Sequence, residues 1–196
     1  AHDFSLFADE ATGAHYGFPL PIILWDNGVH FFSSSKFEHG EKVAESNGNY
    51  YVLHHERIYK TDAAGTLTGD AHHPTNAKPI DLSITKGVLT IMVVALLMFL
   101  LFSSLAKSYA KNGGISSGAG RFFEPIVLYV RDEIAIPNIG EKHYKKYMSY
   151  LLTIFFFVWF LNIFGLTPLG INVTGNIAVT FGLAIITFLI TNLTAN

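Results

Sequence analysis

Five neutral polar side chains sit in the least polar part of this 196-residue chain: Asn162, Asn176, Thr180, Thr187 and Thr191. After Lys146 there is no Asp, Glu, Lys, Arg or His, so any chemistry in that stretch is hydrogen-bond chemistry. Asn176, Thr180, Thr187, Thr191 and Thr194 are spaced 4, 7, 4 and 3 apart. On a helix that spacing keeps them within about 60° of one face. A stripe of hydroxyls and amides among apolar residues has two uses. It can bond a neighbouring helix, or it can face a hydrated cavity. A neutral amide cannot hold an ion by charge, so the stripe alone does not make an ion barrier.

The other chemically able residues are less well placed. Eight of the nine histidines fall in residues 1–86, including the pairs His54-His55 and His72-His73. Imidazole suits zinc or copper, but no cysteine and no His-x₃₋₅-His spacing accompanies them, and Asp70 and Asp81 are not placed like ligands. A polar, histidine-rich surface is the plainer reading. Arg131-Asp132 reads as a solvated helix face. No nucleophile–base pair, phosphate loop or acid pair stands out, and a bare Gly113-Gly114 is not a P-loop. A soluble enzyme is excluded on these grounds, and the sequence calls for no cofactor and no metal.

The stripe must be positioned by membrane helices. Tyr147 to Leu166 is a 20-residue apolar run with aromatic rings in every direction, closed by Thr167-Pro168. At 1.5 Å per residue about 20 residues cross the roughly 30 Å hydrocarbon core. Gly87 to Ala106 is a second uncharged window of the same length, bracketed by Lys86 and Lys107. The stripe itself lies on a third candidate span, 176–194. The expected fold class is mainly α and integral to a membrane: three transmembrane helices at 87–106, 147–166 and 176–194.

Between the first two spans lies 107–146, with 4 acids and 7 bases, and the positive excess predicts a cytoplasmic loop. Asn112 to Gly120 reads as a flexible link. In 121–134, Phe123, Ile126, Val127, Val130 and Ile134 share one face, which predicts an amphipathic helix. It is too short to cross and is expected to lie in the cytoplasmic interface or on a partner, ending before Pro137. Pro125 is expected near its start. The turn at 167–175 then faces outward.

Residues 1–86 carry 11 acids and 6 bases and predict an outer, extramembrane region. Tyr50–Leu53 and Arg57–Lys60 read as short strands, with Gly40, Gly48, Gly65 and Gly69 as turn formers. The region is expected to be small, irregular or β-hairpin, short of apolar material for its own core, and to lean on the membrane or a partner. The chain starts at Ala1, which leaves open a removed leader or a trimmed end.

The order FEPIVLYVRDEI, IG-x-KHYKKYMSYLLTIFFF, NIFGLTPLG and T-x-NIAVTFGLAIITFL resembles subunit a of the F-type ATP synthase, over residues 87–196. The resemblance implies a stationary proton-channel subunit of a bacterial inner membrane. Its partners would be the ring of c subunits, the b subunits, lipid and protons, with no nucleic acid. It carries Glu124 and Arg131-Asp132 onto the family's cytoplasmic amphipathic helix. It sets Asn162, Gly165 and Pro168 on an Asn-x-x-Gly-x-x-Pro span end, and Asn176 and Thr180 on the next span. In the family, an arginine on a later membrane helix faces the c-ring carboxylates. Arg57, Arg121 and Arg131 are the only arginines here and none lies in a span, so the chain is expected to be the N-terminal part of such a subunit. As given, it is expected not to translocate protons, even beside a c-ring, because no base lies within its spans. The competing class is a membrane-anchored ligand- or metal-binding protein, favoured by the histidine-rich region and opposed by the order of motifs.

Overall fold

The computed structural model describes residues 2–8, 15–70, 73–111, 118–167 and 172–194. The chain divides into two compact units, 1–89 and 90–196. The first is β-rich. Strands β1 (Asp3–Ala8) and β2 (His15–Pro19) pair, and β3 (Pro21–Trp25) pairs with β4 (Val29–Ser33). A 3₁₀ turn, Ser34–Gly40, leads to the meander β5 (Ala44–Ser46), β6 (Asn49–His54) and β7 (Arg57–Thr61). The small pair β8 (Gly69–Asp70) and β9 (His73–Pro74) follows, and β10 (Ile80–Asp81) returns to the free edge of β3.

This unit has a core of its own, contrary to what its composition suggests. Period-two alternation turns Ile22, Leu24 and Phe32 inward, where they meet Phe37, Ala44, Tyr51 and Ile58, all buried. The apolar residues are few, but most inward positions carry large ones: Ile22, Leu24, Phe32, Tyr51 and Ile58. A polar network lies against this core. Asp26 accepts from Lys60 Nζ at 2.6 Å and from the Tyr51 hydroxyl at 3.1 Å. The Lys60 hydrogen bond is the main reason the Asp26 carboxyl is held below its usual range, with help from Tyr51 and against burial. Burial first, and the Asp26 carboxylate second, push the Tyr51 hydroxyl well above its ordinary value.

Histidines serve this packing. His30 sits within 3.2 Å of the Asp26 carbonyl and 3.3 Å of Ser46 Oγ. His2 is buried, with Nε2 2.8 Å from Asp81 Oδ2, which ties the first described residue to the last strand of the unit. Burial pushes the Asp81 carboxyl up, but bonds from His2 and Ser83 outweigh it and hold it below the usual range. The His54 and His55 rings meet edge-on at 4.2 Å. Among the described residues no three His, Cys, Asp or Glu side chains converge as a metal set, and His72 lies outside them.

Two hairpin turns in this unit use left-handed residues. Asn47-Gly48, with φ of 49° and 76°, joins β5 to β6. That is the expected chemistry for a two-residue turn with both φ positive. The β6–β7 turn is His55-Glu56, φ 45° and 63°, where neither residue is glycine. An L-residue in that region costs about 1–2 kcal/mol. Glu56→Gly is therefore expected to stabilise the hairpin by about 1 kcal/mol, slowing amide exchange in β6 and β7 about fivefold. Unchanged or faster exchange would show that contacts of the Glu56 side chain outweigh the strain.

The second unit is helical. Helix α1 (Lys86–Lys111) begins at Thr85, whose carbonyl accepts from Leu89 N and whose Oγ1 lies 3.4 Å from Val88 N. Then come α2 (Ala119–Tyr129), a π-helical turn at Val130–Ala135, and a single turn α3 (Ile136–Ile139). Helices α4 (Tyr144–Leu166) and α5 (Ile177–Thr194) complete it. Helices α1, α4 and α5 are long and apolar enough to cross a membrane, with mean hydropathies of 2.7, 1.9 and 2.0. The expected flexible link falls mainly on 112–117, outside the described residues.

The segment read as an interfacial helix differs from expectation in two ways. It does not stop before Pro137. That proline enters the first turn of α3, where it has no N–H to lose, and the chain turns only at Gly140, φ 87°. Pro125 also lies farther inside than expected, in the second turn of α2. Phe123 lies 17 residues before Gly140 and Phe156 lies 16 after it. Each arm is about 25 Å long, so a right-angled corner would part their tips by about 35 Å. Their rings are 5.7 Å apart. The segment folds back alongside α4. Phe123 packs there against Phe102 of α1 at 6.0 Å and against Trp159 and Phe160 of α4, both at 6.4 Å. An apolar face specified by sequence is buried against helices.

Candidate functional site in the α4–α5 pair

The site is the polar seam between α4 and α5, which run antiparallel. At one end Tyr147 OH and Lys146 Nζ both donate to the Thr194 carbonyl, at 2.9 and 3.0 Å. At the other, Thr174 Oγ1 lies 3.4 Å from Asn162 Oδ1. Between them Tyr150 OH and Thr187 Oγ1 meet at 2.7 Å. Thr187 Oγ1 also donates to the Leu183 carbonyl at 2.8 Å, so its one proton is committed and Tyr150 is the donor across the seam.

The sequence-derived residues sort by this geometry. Asn176 caps α5: its Oδ1 accepts from Ala178 N at 2.9 Å and its carbonyl from Val179 and Thr180 N. Asn162 donates to the Val158 carbonyl at 2.8 Å, which keeps its amide on its own helix while Oδ1 turns toward Thr174. Thr180 and Thr191 return their hydroxyls to α5 carbonyls, Ile177 at 3.1 Å and Thr187 at 2.8 Å. Such back-bonding satisfies the donor in apolar surroundings and leaves an acceptor lone pair for water or a neighbour. The structure therefore joins Thr187 to α4 and Asn162 to the turn, and leaves Thr180 and Thr191 exposed on α5. Tyr150 was missed by sequence reasoning. An aromatic inside an apolar run carries no periodic signal, although its hydroxyl needs a partner there. Pro168 of the Asn-x-x-Gly-x-x-Pro pattern lies outside the described residues. Arg131 and Asp132 form a two-pronged pair, Nε to Oδ1 at 2.7 Å and Nη2 to Oδ2 at 3.0 Å, apart from the seam.

Comparison with known proteins decides the family. The family described as ATP synthase A chain matches residues 88–196, which include α1 to α5 almost entirely. The chain belongs to the ATP synthase A chain family. It is 36% identical over 162 residues to ATP synthase subunit a of Pelodictyon phaeoclathratiforme, covering 80% of this chain and 46% of that protein. It is 38% identical over 155 residues to ATP synthase subunit a 2 of Chlorobaculum tepidum, covering 78% and 44%. ATP synthase subunit a of Myxococcus xanthus is 45% identical over 114 residues, covering 57% and 37%. The chain thus spans less than half the length of these curated relatives. Residues 1–82 match a domain of unknown function (DUF8433). No solved structure matches the chain. As a member of the ATP synthase A chain family with three helices of spanning length, it is a multi-pass membrane protein.

Proposed function

We propose that this chain forms part of the stationary proton-channel subunit of an F-type ATP synthase, working beside a ring of c subunits and held by b subunits. The observation that carries the reading is the seam itself. In a family of membrane subunits, α4 and α5 place Tyr150, Thr187, Asn162 and Thr174 in hydrogen-bonding pairs, while Thr180 and Thr191 stay open on the same helix. A carboxylate carried through lipid must be neutral, because an ion at the bilayer centre costs about 3 kcal/mol or more. Loading and unloading it therefore takes aqueous half-channels. Open hydroxyl oxygens on α5 suit one wall of such a channel. Within residues 87–106 and 147–194 there is no lysine or arginine, so these helices serve as scaffold and wall and not as the fixed cation.

The arrangement we propose has residues 1–86 outside the inner membrane of a bacterium, the ends of the 107–146 loop at its cytoplasmic side with α2 turned back along α4, and 167–175 outside. The lysines at 107, 111, 142, 145 and 146 support that sidedness. The chain has no cysteine, so single cysteines report cleanly. In the assembled synthase, Thr180→Cys and Thr191→Cys are expected to make ATP-driven proton pumping sensitive to silver ion, and Phe188→Cys, off the threonine stripe, is not. The same panel with an impermeant maleimide on intact cells should label Ala64→Cys and spare Glu141→Cys. Equal silver sensitivity at all three helix positions would remove the channel wall, and the reverse labelling would invert the topology.

A further inference from the structure

The first unit leaves one face of its central sheet uncovered. Strand β3 turns Ile22 and Leu24 inward, so Ile23 and Trp25 point outward; β4 turns His30 and Phe32 inward, so Val29 and Phe31 point outward. The register sets Trp25 beside Val29 and Ile80, and Ile23 beside Phe31. Leu82 extends the row, its N donating to the Ile23 carbonyl at 2.9 Å. Trp25, Val29, Phe31, Ile80 and Leu82 are 53%, 58%, 69%, 61% and 62% exposed. No charged residue interrupts these outward positions. A contiguous apolar patch of this kind marks a contact surface.

We propose that this face rests on the interfacial layer of the lipid bilayer. The chain itself argues for lipid as the occupant. The ladder with β3 continues to Ile84, whose N donates to the Pro21 carbonyl, and Thr85 then caps α1. From Leu82 to the first residue of a membrane helix is four residues, at most about 14 Å of extended chain. The Lys86 ammonium lies 5.4 Å over the Phe4 ring, and Phe4 stacks on the half-exposed Phe18 at 4.9 Å, so aromatic groups surround the helix entry. Tryptophan beside branched aliphatic residues is the composition that membrane–water interfaces select. Charge has no part in it: with 11 acids and 6 bases, residues 1–86 are repelled by anionic headgroups. The contact is apolar and insensitive to salt.

The test uses the full chain in phosphatidylcholine vesicles, with a nitroxide on Val29→Cys or Leu82→Cys and on Ala64→Cys as the solvent reference. The ratio of collisions with oxygen to collisions with an aqueous nickel chelate should be several-fold higher at 29 and 82 than at 64, and unchanged in molar salt. A ratio equal to that at 64 overturns the proposal. So does exclusion of both reagents with spin–spin broadening, which would mean a second copy covers the face. An independent arm needs no label at the patch: in a Trp159→Phe chain, Trp25 is the one tryptophan left. Quenching by lipids brominated near the headgroup supports the docking. Quenching by aqueous iodide instead overturns it.

Discussion

Phe123→Ala is expected to destabilise the helical unit by about 3 kcal/mol. Phe123 is 7% exposed and its ring meets Phe102, Phe156, Trp159 and Phe160 at centroid distances between 5.7 and 6.4 Å. Lipid is as apolar as the protein interior, so removing the ring loses little transfer energy and mainly loses packing. Four ring pairs at about 0.5–1.5 kcal/mol each give about 2–6 kcal/mol. Phenylalanine-to-alanine changes in soluble cores, at about 3–5 kcal/mol, set the upper side. The neighbour Phe122 is 60% exposed, and Phe122→Ala should cost less than about 1 kcal/mol. Unfolding in mixed micelles, followed by Trp159 emission, would measure both. Equal costs at 122 and 123 would mean that the fold-back of α2 along α4 is not what holds the three helices together.

In the first unit the corresponding residue is Asp26. Asp26→Ala is expected to cost about 2–4 kcal/mol, because it leaves the fully buried Tyr51 hydroxyl and the Lys60 ammonium without their shared acceptor. Lys60 is a third exposed and can turn to water, which keeps the figure at the lower side. Asp26→Asn retains an acceptor oxygen and should cost less. The pH dependence has a definite sign. The folded carboxyl is held below its unfolded value, so its contribution is complete above about pH 4 and is lost as pH falls through the folded value. Asp62 and Asp81 are held down as well, so the wild-type chain loses stability there from several groups. Subtracting the Asp26→Asn curve isolates this one. If the two curves run parallel between pH 4 and pH 2, the Asp26–Lys60 pair is not coupled to folding.

What the sequence could tell depended on how local each cause was. The three spans were legible because a run of some 20 apolar residues leaves little alternative. Strands β6 and β7 were legible from Tyr50–Leu53 and Arg57–Lys60, yet their turn was not: His55-Glu56 adopts positive φ without the glycine that announces it. Strands β3 and β4 went unread because Pro21, Ile22, Ile23 and Leu24 look like an unpatterned apolar run, and only the fold reveals that one set faces the core and the other does not. The 121–134 face was placed correctly as a face, since Phe123 and Val130 are buried with Ile126 and Val127 partly covered. Its continuation was not. The sequence pattern pairs Val130 with Ile134, whereas the π turn buries Val130 and Ala135, five residues apart. A period of 3.6 cannot announce an inserted residue. For the seam, the stripe on α5 was visible in threonine spacing, but its partner Tyr150 depends on the antiparallel register of two helices.

The direct passage from the β10 edge into α1 sets a schedule for biogenesis. Residues 80–84 close the sheet against β3, and His2 is bonded to Asp81 across 79 positions of sequence. Until that last segment is synthesised, the first unit lacks an edge strand and the hydrogen-bond partner of His2. The ribosome delivers those residues immediately before the first hydrophobic helix. Closing the sheet therefore fixes the chain as far as Ile84, two residues before Lys86, where α1 begins. A spacer of a few glycines between Ile84 and Thr85 would separate sheet closure from the start of α1, leaving the β3–β10 ladder in place and breaking the Lys86–Phe4 contact.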